Sequence, residues 1–148
     1  MKFGVRQFAV VGIAIATSFL TVGCATGKVS QCTKMIEVVN RTVKETETVT
    51  SAGTKGDLST IEKLVTIFDT AATDLNSVNV SDEKLKDYKN KFFTMYQGGT
   101  EITKQLVSSI KEKKSTKVHE GLRKSRTIFS PEQNLAAGLT QYCKEPEK

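Results

Sequence analysis

The sequence holds no tryptophan, one histidine, two prolines and three cysteines, and aromatic residues make up 7% of it. Each shortage removes a class of function. The lone His119 has no second histidine or cysteine at ligand spacing, and "HEGLR" lacks the histidine that a helical zinc site needs four residues after the first. No motif sets a base beside any serine, so nucleophilic catalysis has no candidate. Scarce aromatics leave little to stack on bases, which argues against a nucleic-acid partner although 22 Lys and Arg face 16 Asp and Glu. Carboxylate pairs such as Glu45 and Glu47, or Asp82 and Glu83, fall on solvated or helix-capping positions rather than forming an acid and base couple. "GCATGK", Gly23 to Lys28, is one residue short of a phosphate-binding loop and lacks the hydroxyl residue after its lysine. The expectation is a protein that is not an enzyme and uses neither metal nor cofactor.

Charge is absent from one long run, the 21 residues from Gln7 to Gly27. Lys2 and Arg6 precede it and the apolar stretch Phe8 to Leu20 fills it, which is the order of an export signal. The stretch ends in Thr21, Val22, Gly23 and Cys24, and small residues before a cysteine resemble the lipobox of bacterial lipoproteins. That resemblance implies a signal peptide over 1–23, a diacylglycerol on the Cys24 thiol and an acyl chain such as palmitate on the new N-terminus. The family prefers leucine three positions before the cysteine; here Thr21 stands there and Leu20 is one place earlier. The run is also long enough to span a bilayer, so an uncleaved anchor and an ordinary cleaved signal peptide are the alternatives. All three export the rest of the chain. The sequons at Asn40 and Asn79 would matter only on a eukaryotic secretory route, against which the lipobox argues.

Cleavage before Cys24 removes 23 of 148 residues and leaves 125, enough for one domain with a modest core. Loss of Lys2 and Arg6 leaves 20 basic against 16 acidic residues, a net charge of +4. If Cys24 carries lipid, Cys32 and Cys143 remain as a pair in a compartment where disulfides persist. A bridge between them closes a loop of about 110 residues, valued by chain entropy at roughly 4 to 5 kcal/mol.

The chain beyond a lipidated tether, 24–30, reads as all-α. Apolar residues recur with helical spacing at Cys32, Met35, Ile36, Val39 and Val43, predicting a helix from about Gln31 to Val49, although the β-branched "TVKETETVT" also has strand character. "SAGTKGD" ends it. Ser59 and Glu62 have capping-box spacing ahead of the stripe Ile61, Leu64, Val65, Phe68, Ala71, Ala72 and Leu75. Ser81 is the expected cap of a third helix with Leu85, Tyr88, Phe92, Met95, Gly99, Ile102 and Leu106 at heptad-like spacing. Gly98 and Gly99 each cost that helix about 1 kcal/mol; they mark a close helix contact, a kink or a small cavity, the first being the simplest. A fourth helix turns Val118, Leu122 and Ile128 inward and is broken near Pro131, where "SPEQ" has the form of a fresh helix start. It continues through Leu135, Leu139 and Tyr142 to Cys143, leaving a polar tail, 144–148.

Four helices joined by short connections make an antiparallel up-down four-helix bundle over 31–143, which brings Cys32 and Cys143 to the same end as Cys24. At the other end lies a basic concentration from Lys104 to Arg126: Lys111, Lys113, Lys114, Lys117, Arg123, Lys124 and Arg126 with Lys104, against Glu112 and Glu120. It serves either as a solvated helix end or as a patch for an anionic partner. A helix of about 30 residues is about 45 Å long, so in a standing bundle the patch faces an anionic envelope polymer, the opposite membrane or an acidic protein.

The lipobox, "QCTKMIEVVN" at Gln31 to Asn40, and the terminal "QYC" at Gln141 to Cys143 resemble small bacterial lipoproteins of cyanobacterial type, a family with no assigned activity. The resemblance implies an envelope protein held to the membrane through Cys24. Ala25 is not the aspartate that retains lipoproteins in the plasma membrane of many enteric bacteria, which favours the outer membrane facing the periplasm over the plasma membrane. The lipid-anchored extrinsic subunit of photosystem II is likewise a four-helix bundle, although paired cysteines are not its pattern. A lumenal subunit of a photosynthetic complex is therefore the runner-up to a non-enzymatic envelope interaction or structural module. A small-ligand carrier, with a pocket near Gly98 and Gly99, comes third.

Overall fold

The computed structural model describes residues 27–53 and 57–146. The expected signal peptide and Cys24 lie outside the described residues. Within them the chain forms helices α1 (Lys28–Ala52), α2 (Leu58–Ser77), α3 (Glu83–Lys111), α4 (Ser115–Phe129) and α5 (Glu132–Lys144), and no strand. The β-branched second half of α1 is helical throughout. Helix α1 starts three residues earlier than its apolar stripe predicts, so 28–30 belong to the helix rather than to a tether, and Lys28 is buried.

Helix starts differ from the predicted caps by one or two residues. Asp57 caps α2 by accepting from the Ser59 N–H, which places Ser59 inside the first turn. Asp82 caps α3 by accepting from the Leu85 N–H at 2.8 Å, and Ser81 instead meets Gln31 of α1. An aspartate next to the predicted serine offers the stronger acceptor to an orphaned N–H. The end of α3 is a Schellman motif: Lys114 N–H donates to Ser109 C=O and Lys113 N–H to Ile110 C=O. Lys113 holds the left-handed position, φ 56°, that glycine usually takes. Ser130 and Pro131 between α4 and α5 both keep right-handed helical dihedrals, and the Ser130 hydroxyl donates back to Thr127 rather than capping α5.

Gln31 near the start of α1 meets Ser81 just before α3, while Lys111 at the end of α3 pairs with Glu62 at the start of α2 at 2.8 Å. Helices α1, α2 and α3 therefore alternate in direction. Helix α3 lies against α2 on one side and α4 on the other; α5 packs on α1 and α3. The core of Met35, Val39, Phe68, Leu75, Leu85, Phe92, Tyr96 and Leu139 fills the end where the chain enters and leaves. Cys32 and Cys143 are joined there, with Cα atoms 5.7 Å apart, within the range a disulfide requires. Polar contacts surround the bridge: the Lys28 ammonium donates to Glu145 C=O at 3.0 Å and sits 3.9 Å above the Tyr142 ring, whose hydroxyl donates to Asp82 at 2.8 Å.

Candidate functional site

The other end of the bundle is less closed, and the cause is in the side chains. Beyond Val39 the inward positions of α1 are Thr42, Val43 and Thr46, short residues that cannot reach across to α4. Helix α4 is meanwhile drawn to α3. Gly121 lets it approach so closely that a Cβ there would lie 2.6 Å from Leu106 Cδ2. Phe129 likewise lies against Gly99, where a Cβ would overlap the ring tip. Gly98 and Gly99 therefore mark a helix contact with Ile128 and Phe129. With α4 committed to α3 and α1 short of bulk, a cleft of about 700 Å³ opens between them.

Its walls are mostly apolar: Val39 and Val43 from α1, Ile61, Leu64 and Phe68 from α2, Leu106 from α3, and Leu122 and Phe129 from α4. Leu122, predicted to point into the core, is 45% exposed because it faces this opening. Phe129 packs against Phe68, ring centroids 4.7 Å apart and planes inclined by 34°, and forms the wall between the cleft and Gly99.

Three polar features stand out in this apolar lining. The Thr46 Oγ1 is buried and has no hydrogen-bond partner, which is uncommon for a helical threonine, whose hydroxyl ordinarily returns to the carbonyl one turn back. Glu132, at the start of α5, is half-buried and accepts one bond from the Tyr96 hydroxyl at 3.1 Å. Burial pushes the Glu132 carboxyl above the ordinary glutamate range, and the Tyr96 bond offsets part of that rise. Burial, with the adjacent Glu132 charge, pushes the Tyr96 phenol up as well. Glu47 is the third, exposed at the rim.

The basic concentration is exposed but partly neutralised. Lys111 pairs with Glu62, Lys114 with Glu112, and Lys124 with Glu120 at 2.7 Å. These partners hold the Glu112 and Glu120 carboxyls below the usual range, Lys114 and Lys124 respectively contributing most. Lys113, Lys117, Arg123 and Arg126 make no ion pair within 4.0 Å among the described residues. Gly98, Arg123 and Lys124 border a depression of about 430 Å³ on the outer face of α3 and α4. His119 is exposed on α4. No group of three His, Cys, Asp or Glu able to hold a metal occurs among the described residues, and none of their helices is long and apolar enough to cross a membrane.

Comparison with known protein families, curated proteins and solved structures returns no significant match to this chain.

The cleft was not predicted from the sequence. Two signals for it were nonetheless there: Thr46 continues the stripe set by Cys32, Met35, Val39 and Thr42, and Glu132 comes directly after Pro131 in a segment that turns Leu135 and Leu139 inward.

Proposed function

We propose that the protein is an exported, lipid-anchored helical bundle that works without catalysis and holds an apolar ligand in the cleft between α1 and α4. One observation carries this reading: an apolar cavity of about 700 Å³, within the size range of small-molecule sites, in a bundle otherwise closed by a disulfide and a packed core. Apolar surface left open to water in a bundle of this size favours an occupant. Residues 1–23 are the proposed signal peptide and Cys24 the proposed lipid site, with the outer membrane facing the periplasm as its location. In this reading the bundle is an up-down four-helix bundle whose fourth arm bends at Pro131. The Cys32–Cys143 bridge and the Lys28 contacts then brace the anchored end, and the cleft begins at Val39, about 10 Å beyond Cys32 along α1.

The test uses the full chain in lipid nanodiscs and a photoreactive eight-carbon alcohol, with attachment sites mapped by mass spectrometry. Labels on α1 between Val39 and Glu47 and on α4 between Leu122 and Phe129, lost in Leu122→Arg without a change in melting, are the expected result. Labels scattered over the outer faces and indifferent to Leu122→Arg would refute it.

A second surface is supported by four of the exposed cations in the basic concentration that make no ion pair within 4.0 Å among the described residues. Lys113, Lys117, Arg123 and Arg126 form a patch for an anionic envelope polymer or an acidic protein, and such binding should weaken steeply with salt.

A further inference from the structure

The charged side chains lining the cleft are Glu47 and Glu132, both acidic, in a chain whose net charge is +6. Lysine and arginine are abundant close by, at Lys44 and Arg41 on α1 and Arg123 and Lys124 on α4, yet they line other surfaces. On α4 the segregation comes from helix geometry, because Arg123 and Lys124 follow Leu122 by one and two residues and so point to other faces. Glu47 sits on the cleft side of α1, and Lys44 and Arg41 sit on the side facing solvent and α2.

Glu132 is the more informative of the pair. It has no ion pair among the described residues, and its one hydrogen bond, from Tyr96, leaves acceptor capacity unused on a half-buried carboxylate. Phe68 and Phe129, tilted against each other, both line the same cavity. Buried charge is costly when unpaired, and a cation placed among aromatic rings and a carboxylate is stabilised by both. The unpartnered Thr46 hydroxyl adds an acceptor for an N–H donor.

We infer that the cleft is a site for a cationic amphiphile, a molecule with an apolar body and one ammonium group, with Glu132 as its counter-ion and the Phe68 and Phe129 rings beside the charge. This rests on the cleft being a ligand site. An alkyl chain covers Val43, Ile61, Leu64 and Leu122, and the ammonium group takes up the acceptor capacity that Glu132 leaves unused. A fatty acid is disfavoured by the same geometry, since its carboxylate would meet two carboxylates and no cation.

The experiment compares octylammonium, octanol and octanoate by calorimetry against the full chain in zwitterionic nanodiscs, with empty discs as the blank. The expected order is ammonium tightest by tenfold or more, alcohol next and octanoate weakest. Glu132→Gln brings the ammonium compound down to the affinity of the alcohol and leaves the alcohol unchanged, while Leu122→Arg weakens both. Alcohol and ammonium binding equally, with Glu132→Gln without effect, would overturn the counter-ion assignment and leave the cleft a ligand site. Octanoate binding tightest would overturn it as well. If none of the three binds above the blank, the ligand-site reading falls with it.

Discussion

Removing the bridge between Cys32 and Cys143 should cost this bundle a large part of its stability. The cysteines are 111 positions apart, so the bond closes a loop for which the chain-entropy model gives about 4.7 kcal/mol. Disulfides more often deliver about 2–4 kcal/mol, against a total of about 5–15 kcal/mol for a typical domain. The loss falls on one place in the fold: α5, 13 residues long, is held to α1 by this bond and by Lys28 over the Tyr142 ring, and to the cap of α3 by the bond from Tyr142 to Asp82. Those contacts survive reduction, so the folded state persists at 20 °C with unchanged helix content. At about 3–5 °C per kcal/mol for a chain of this size, the midpoint should fall by roughly 10–15 °C. Thermal melts by far-UV circular dichroism, with and without a phosphine reductant, measure it, and Cys32→Ser with Cys143→Ser serves as the non-reducible comparison. Urea unfolding should show a steeper m-value in the reduced protein, because its denatured chain is less confined. A midpoint shift below about 2 °C, or a double-serine variant that melts with the oxidised protein, would refute the reasoning.

Substitutions at four positions give further expected outcomes. Asp82→Ala should cost about 1–2 kcal/mol as a lost helix cap. The cap bond from Leu85 lowers the Asp82 carboxyl, so its stabilisation is present above the pKa of an unfolded aspartate and is lost as pH falls through the depressed folded value; acid unfolding of Asp82→Asn should lack that component. Glu132 has the opposite sign: its raised carboxyl makes the folded state the better proton binder, so stability is lost as pH rises from the unfolded to the folded pKa. Glu132→Gln should therefore gain on the native protein across that window and match it at lower pH, read from urea midpoints. Gly99→Ala gains about 1 kcal/mol of helix propensity but forces the Phe129 ring aside at about 1–3 kcal/mol, so equilibrium unfolding should show a net loss. Lys113→Gly relieves a left-handed backbone position and should add about 0.5–1 kcal/mol in the same assay.

The heptad-like spacing of Leu85, Phe92, Met95, Ile102 and Leu106 made α3 legible, since a long amphipathic stripe has few competing folds. The pairing of Cys32 with Cys143 was legible by count, since with Cys24 set aside for lipid two cysteines remain, and an up-down bundle that returns its last helix to its first agrees with it. Helix starts were less so, because Asp57 and Ser59, or Ser81 and Asp82, are both cap-forming residues within two positions of each other. Ser81 is taken by Gln31, which leaves the cap to Asp82. The cleft was hidden for a different reason. Hydrophobic periodicity says which face of α4 turns inward but not whether anything meets it, and Leu122 fits the stripe as well as Ile128 does. Gly121 and Gly99 decide the matter by pulling α4 onto α3, and the short side chains of Thr42, Val43 and Thr46 leave the facing side unfilled.

The most direct measurement on the central claim is a methyl NMR titration of the full chain in nanodiscs with octanol. The cleft predicts saturable shifts at Val39, Val43, Ile61, Leu64 and Leu122, with Leu85 and Leu139 in the closed end of the core unmoved. Shifts absent from those five methyl-bearing residues, or spread evenly over both ends of the bundle, would contradict a ligand site between α1 and α4.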